Sequence, residues 1–245
     1  MTGLPPVNAP EMYVEGLNLS WESVTELNVA AGRARNSSNQ NDIILDSAVV
    51  IDGSSNGANG LDIGDLANNT FYAVYAIADS FKNSDAAAMI SADLDQPLLP
   101  TDYDMYRRIG YVKTDGSAEF LEFRQEGLGQ NRWMWYDAAI ATDITAGASA
   151  TFAAVDLSDG IPDLSNSGMV NLLAVFTPTA AEDTLELRPG DSSATDGYAR
   201  ESGDVADVAV TTNMVTPWDV TSGIDYKVTG SAVALSVAAY MDKLA

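Results

Sequence analysis

The sequence predicts an all-β protein, an antiparallel β-sandwich of jelly-roll-like type with two β subdomains and an extended N-terminal arm. Short segments of alternating apolar and polar residues recur along the chain, as half-buried strands do. Gly, Asn and Asp separate these segments at intervals of about 8–14 residues, the spacing of sandwiches and barrels. We place the arm at residues 1–16, the first β domain at 17–135 and the second at 136–245.

The first domain opens with four short strand signals. Residues 17–32 read LNLSWESVTELNVAAG and predict two strands that break at Gly32. Residues 42–53 read DIILDSAVVIDG, with two β-branched runs that end at an Asp-Gly pair. The loop that follows, GSSNGANG, is rich in residues that tolerate positive φ.

The strand predicted over residues 69–80, NTFYAVYAIADS, is apolar on both faces. Phe71, Ala73 and Tyr75 share one face, and the residues between them share the other. A strand of this kind is covered on both sides. The next apolar segment, AAAMISA, could form a short helix, but the Asp and Ser residues around it favour a strand.

An Asp-Gly pair predicts the clearest hairpin of the chain. Tyr106 to Val112 forms a strand, and Asp115-Gly116 joins YRRIGYVKT to SAEFLEFRQEG. Asp-Gly between alternating strands is the strongest short-range hairpin signal. The segment RWMWYDAAI predicts a further strand.

Beyond about Tyr136 aromatic residues become rarer, and Ala, Ser, Thr, Asp and Val dominate. The last segment of this half could be a helix by its alanine content, but its apolar residues alternate and favour a strand. The strands predicted here are ATFAAVDLS, MVNLLAVFTP, DTLELRPG, VADVAVTTNMVTPW, IDYKVTG and AVALSVAAYMDKL.

Charge and composition restrict the function. The chain has 12 Lys and Arg against 35 Asp and Glu, a net charge of −23, which would repel nucleic acid and anionic membranes as partners. It contains neither His nor Cys, so Ser-His-Asp, Cys-His and thiolate-zinc chemistry are excluded. The N-terminal residues lack the features of a signal peptide, and we expect a soluble chain made in the cytoplasm.

The acidic residues give weak signals for catalysis or metal binding. Asp93 with Asp95, or Asp102 with Asp104, could supply two carboxylates for glycoside hydrolysis, but they lie in loop-like sequence where solvated acids are normal. NGANGLDIGD could hold Ca²⁺ through Asp62 and Asp65, yet it lacks the order of a calcium loop, and turn formation explains it better. We therefore expect no enzymatic activity, no cofactor and no metal.

The scarce basic residues are candidates for an interface. Arg107 and Arg108 are adjacent, so on a strand they face opposite ways, and one should pair with acids such as Asp102 or Asp104. Arg33 and Arg35 lie two apart and would share a face. Contacts with another subunit and salt bridges within the chain are both open for these arginines.

Two further groups complete the candidate residues. The arm contains adjacent prolines and the apolar residues Leu4, Val7, Met12 and Tyr13, which could pack on a neighbouring subunit. Trp133 and Trp135 share one face of their predicted strand. Exposed, they could form a platform for glycan rings; buried, they are core, and core is the favoured alternative.

The sequence resembles a group of tailed-bacteriophage virion structural proteins over residues 17–245. The similarity is carried by NGLDIGDLANNTFYAVYAIADS, YDMYRRIGYVKTDGSAEFLEF, WMWYD, FAAVDLSDGIP and VAAYMDKL. The RRIG-aromatic-V-TDGS motif is fairly specific, although Tyr111 stands where Trp is usual. The motif marks a fold and not an activity.

This resemblance implies a non-enzymatic protein located in the virion. A chain of this length without a shaft fits a capsid decoration, or head-fibre, protein on the outer head surface. It would form a homotrimer and contact the major capsid protein or other virion proteins. The alternative is a tail-fibre or receptor-binding module that recognises a host surface glycan.

The predicted fold is testable in solution. Because every regular segment is expected to be a strand, helix should account for less than about a tenth of the residues, against about a third in typical proteins. Far-UV circular dichroism measures this fraction, and a spectrum with substantial helix would contradict the fold class.

Overall fold

All regular elements of the described chain are β-strands, which confirms the predicted fold class. They form two compact units, one of residues 12–132 with Leu244 and one of the described residues within 133–243. The computed structural model describes residues 12–81, 85–162, 168–220, 223–230 and 232–244.

The first unit contains two sheets. Three of its strands form a small sheet in the order β1-β4-β5, and the others follow the order β10-β8-β9-β7-β6-β3-β2-β11. The strands are β1 (Val14–Gly16), β2 (Leu19–Trp21), β3 (Glu26–Val29), β4 (Gly32–Arg35), β5 (Asp42–Leu45), β6 (Val49–Asn56), β7 (Gly60–Leu61), β8 (Phe71–Ala78), β9 (Ala87–Ser91), β10 (Met105–Lys113) and β11 (Phe123–Leu128).

The second unit has two four-stranded sheets. Their orders are β12-β19-β14-β17 and β13-β18-β15-β16, and β17 contacts β15, β16 and β18 of the other sheet. The strands are β12 (Asn131–Ala141), whose residues from Trp133 on belong to this unit, β13 (Ala153–Val155), β14 (Gly168–Phe176), β15 (Asp183–Pro189), β16 (Ala199–Gly203), β17 (Val210–Trp218), β18 (Ile224–Val228) and β19 (Val233–Lys243).

Strand β8 is almost completely buried in the first unit, and the prediction that both its faces are covered is confirmed. All residues from Tyr72 to Ala78 are buried. Ala73, Tyr75 and Ile77 pack with Met89 and Tyr111 in one apolar cluster. β9 and β10 flank β8 in antiparallel pairs, so the sequence segment with the strongest apolar pattern is an interior strand of its sheet, next to the edge strand β10.

Most strands lie where the sequence predicts them. The segment AAAMISA is strand β9, and the last segment is strand β19, where buried and partly buried residues alternate from Val233 to Val237. Strands β1, β4, β7 and β16 were not predicted. β7 has two residues and pairs in parallel with β6 and β9, a pairing that no hairpin pattern can indicate.

The predicted hairpin across Asp115-Gly116 is wrong. β10 pairs with β8, and β11 pairs with β2. The Asp-Gly pair does form a turn, since Asp115 accepts hydrogen bonds from the amides of Ser117 and Glu119. After one bridge between Thr114 and Phe120, however, the amide of Phe120 donates to the Val24 carbonyl and directs the chain towards β2.

Part of the predicted arm belongs to the first unit. Val14–Gly16 forms β1 and pairs with β4, and the amide of Arg35 donates to the Tyr13 carbonyl. Strand formation from Val14 on overturns the assignment of the whole range 1–16 to an extended arm. Leu4 and Val7 lie outside the described residues.

The two glycines of the RRIG and TDGS motifs are expected to respond differently to alanine. A Cβ atom on Gly110 would lie 2.6 Å from Leu19 Cδ1 and 3.0 Å from Gln125 Nε2, inside a packed core. Gly110→Ala should therefore lower the free energy of unfolding by about 1–3 kcal/mol, as measured by urea denaturation.

Gly116→Ala is the matched control for this substitution. Its Cβ would approach the Asn69 side chain no closer than 3.9 Å, so it should leave stability nearly unchanged. Equal effects of the two substitutions on the free energy of unfolding would contradict the prediction that the core around Gly110 has no room for a methyl group.

Candidate functional site

Arg107 and Arg108 lie on opposite faces of β10, as the sequence predicts. Arg107 is 3% exposed, and its Nη2 donates to the carbonyl oxygens of Met12 at 3.1 Å and Leu244 at 2.9 Å. Gln130 Nε2 also donates to the Met12 carbonyl. One buried guanidinium thus binds the first described residue and a residue close to the C-terminal end.

Pairing of one of these two arginines with Asp102 or Asp104 stays a prediction. Arg107 contacts other groups. Its described hydrogen bonds go to main-chain oxygens, and Asp104 accepts hydrogen bonds from Ser80 instead. Burial lowers the pKa of Arg107, and the like charge of Arg108 lowers it further. Main-chain carbonyls can replace water around a guanidinium, whose five donors lie in a fixed plane.

Arg108 is half-buried and stacks on an aromatic ring. Its guanidinium carbon lies 4.3 Å from the centre of the Tyr111 ring, a cation–π arrangement. The aromatic residue of the RRIG-aromatic motif therefore contacts the second arginine of that motif. This side chain packs within its own strand.

Arg132 is a structural residue that sequence reasoning missed. It is 1% exposed, and its Nη1 donates to the Leu17 carbonyl at 2.9 Å and to Gln125 Oε1 at 3.0 Å. Its other nitrogens donate to the carbonyls of Gly16 and Gly129. An arginine between a glycine-rich turn and a strand of aromatics could have signalled a buried cation.

Arg33 and Arg35 both form ion pairs within the chain. Arg33 pairs with Glu15 at 2.6 Å on the exposed surface, and Arg35 pairs with Asp42 at 2.8 Å. Burial and a hydrogen bond with Asp42 raise the pKa of Tyr13. Both arginines thus form salt bridges within the chain, which was one of the two alternatives. Their role in an interface with another subunit stays a prediction.

An acidic cleft of about 440 Å³ lies beside β5. Its lining includes Asp42, Asp46, Asp79 and Asp85. Asp79 is buried and accepts a hydrogen bond from the Phe81 amide. Among the residues that the structure describes, no group of three or more acids is arranged to hold a metal ion.

The acidic motifs with weak chemical signals bind main-chain amides and hydroxyl groups. Asp93 accepts the amides of Asp95 and Gln96, which closes a turn, and these hydrogen bonds lower its pKa. Asp62 accepts hydrogen bonds from the Ser91 hydroxyl at 2.6 Å and from the Leu98 amide at 3.2 Å, and so ties together distant parts of the chain.

Trp133 and Trp135 share one face of β12, with ring centres 5.8 Å apart and planes at 33°. Both side chains are half-buried, and Met134 between them is 1% exposed on the other face. The two indole rings are therefore neither fully buried in the core nor fully exposed to solvent. Trp135 Nε1 is buried and has no hydrogen-bond partner among the described residues.

Comparison with protein-family models, curated proteins and solved structures found no match to this chain. The described strands and loops include no helix of the length and apolar character needed to span a membrane. Arguments about function therefore depend on the residues themselves.

Replacement of Arg132 tests its structural role. Arg132→Met keeps most of the side-chain volume but leaves the Gly16 and Leu17 carbonyls and Gln125 without this donor. We expect the free energy of unfolding to fall by on the order of 3 kcal/mol in urea denaturation, because buried acceptors lose charge-assisted hydrogen bonds.

Arg33→Met is the matched control, since it removes an arginine whose ion pair is solvent-exposed. Exposed pairs contribute little to stability, so this variant should unfold close to the wild type. If Arg132→Met were as stable as Arg33→Met, the buried guanidinium would not be a structural requirement.

Proposed function

We propose that this chain is a non-enzymatic structural protein of a tailed-bacteriophage virion and that it decorates the outer surface of the head. The observation that supports the proposal is that the residues of the motifs shared with phage virion proteins have structural roles. Their described contacts build turns, strand pairs and buried cation sites. A motif used in this way specifies a rigid scaffold.

Asn59 and Thr114 illustrate this use of the motif. Asn59 has a φ of 61° and accepts a hydrogen bond from the Ala88 amide, which fixes the turn before β7. Thr114 donates to the Ala67 carbonyl and accepts from the Thr70 amide. The side chains of Asn59 and Thr114 therefore both connect loops to strands through hydrogen bonds.

The surface charge suits an outward-facing role. A net charge of −23 keeps neighbouring molecules apart except where neutral or apolar contacts hold them. In the proposed arrangement the chain forms a homotrimer and contacts the major capsid protein through residues near its N-terminus. The acidic surface then faces solvent, and this structural function requires no catalytic or cofactor site.

A second candidate function is a tail-fibre or receptor-binding module for a host glycan. The half-buried Trp133 and Trp135 pair favours it, because two neighbouring indole rings on one strand offer apolar area to a sugar ring. The two candidates differ in where the protein lies on the particle and in how many copies a particle carries.

Copy number distinguishes these candidates. A decoration protein covers the head lattice, so its amount should be a sizeable fraction of the major capsid protein in purified virions. Quantitative gel densitometry of the two bands measures this ratio. A ratio of only a few per cent would contradict the head proposal and favour the tail.

The same measurement on virions assembled with a chain lacking residues 2–11 tests attachment. This truncation keeps Met12, so the hydrogen bond from Arg107 to the Met12 carbonyl can still form. We expect a clear loss of copies if the N-terminal residues attach the protein. Unchanged occupancy would show that attachment uses another surface.

A further inference from the structure

The outer face of the sheet β12-β19-β14-β17 in the second unit can be assigned from its contacts. Tyr136 donates to the Gly160 carbonyl at 3.0 Å and contacts the ring of Tyr240, which is 2% exposed. Tyr136 thus faces the core. Because side chains alternate along a strand, Trp135 faces outward, and so does Trp133.

Asn171 projects from the same outer face on β14. Its neighbours Val170 and Leu172 are fully buried on the core side. Asn171 pairs with Ala239 of β19, the strand that separates β14 from β12. Asn171 and Trp135 therefore lie on the same face with one strand between theirs, and their two strands lie about 10 Å apart.

Two polar atoms on this face have no partner among the described residues. Trp135 Nε1 is a donor and Asn171 Oδ1 is an acceptor, and both are buried; Asn171 as a whole is only 6% exposed. A buried polar atom without a hydrogen bond destabilises the fold. A hydroxyl group accepts and donates at once, so hydroxyl groups of one ligand could satisfy both atoms.

The part of this face on β14 and β17 lacks charge in a strongly acidic chain, whereas by the same alternation Asp137 of β12 and Lys243 of β19 carry charge at its other end. The outward residues of β14 and β17 near Asn171 are neutral, and two of them, Val175 and Val215, are 37% and 44% exposed. These residues are Met169, Leu173, Val175, Asn213 and Val215. A neutral surface avoids desolvating a carboxylate when it is covered, while the surrounding charge of −23 disfavours acidic ligands.

We infer that this face binds a neutral carbohydrate. The indole rings of Trp133 and Trp135 contact the apolar side of a sugar ring, and sugar hydroxyl groups bond Trp135 Nε1 and Asn171 Oδ1. This inference deepens the second candidate function, glycan recognition. It does not depend on whether the protein lies on the head or the tail.

Binding is tested with the full chain and neutral hexasaccharides of glucose, galactose and mannose, with hexagalacturonate as the acidic counterpart. Isothermal titration calorimetry should detect at least one neutral sugar and no hexagalacturonate. Trp133→Ala and Trp135→Phe should each weaken binding by about tenfold, which is the loss of one stacking contact or one hydrogen bond. Tyr198→Ala, which removes an aromatic side chain that is 66% exposed, is the control and should bind normally.

Asn171→Leu separates a binding role from a structural one. It removes a buried amide oxygen without a partner among the described residues, so it should raise the melting temperature while it weakens sugar binding by about tenfold. A lower melting temperature with normal binding would show a structural asparagine and contradict the inference.

Three other results would overturn the assignment. The first is failure of every neutral hexasaccharide to bind. The second is sugar binding by the Trp133 and Trp135 variants that is as tight as that of the wild type. The third is a change of oligomeric mass in Trp133→Ala without sugar binding by the wild type. The last result would identify the face as a contact between copies. The copy-number ratio in virions is measured separately, so a failure of sugar binding leaves the head proposal standing.

Discussion

Two buried arginines bind main-chain oxygens and thereby hold the first unit together. Arg132 donates to the carbonyls of Gly16, the last residue of β1, and of Leu17, and Arg107 donates to the carbonyls of Met12 and Leu244. A buried cation is costly unless its donors are satisfied, so each guanidinium favours these chain segments at fixed positions, although Arg107 Nε has no partner among the described residues. The pairing of β1 with β4 and the position of the C-terminal residues depend on this constraint.

The acidic residues differ from the buried arginines in their structural role, because several of them accept main-chain hydrogen bonds that close turns. Asp93 and Asp183 accept main-chain amides, and these hydrogen bonds lower the pKa of both carboxyl groups. A lowered pKa in the folded state means that the carboxylate stabilises the fold above its ordinary pKa. This contribution is lost as the pH falls through the folded-state pKa. The charge of −23 is thus partly a by-product of turn formation.

The sequence predicts the fold where local pattern determines structure, and fails where distant contacts do. β8 has apolar residues on both faces, and β19 alternates, so both could be identified. The Asp115-Gly116 turn was visible, but the hydrogen bond from Phe120 to Val24 that breaks the hairpin spans the unit. The Trp pair was visible as well, while Asn171, two strands away, and Arg132 become meaningful only once the sheet neighbours are known.

Native-state hydrogen exchange tests most directly whether the arginine contacts fix both chain segments. The amide of Leu17 donates to the Ala31 carbonyl, and that of Leu244 donates to the Gln130 carbonyl. If Arg132 and Arg107 hold these segments, both amides should exchange as slowly as the amides of β8, through global unfolding. Rapid exchange at Leu17 and Leu244 beside a protected β8 would show frayed ends and contradict the account.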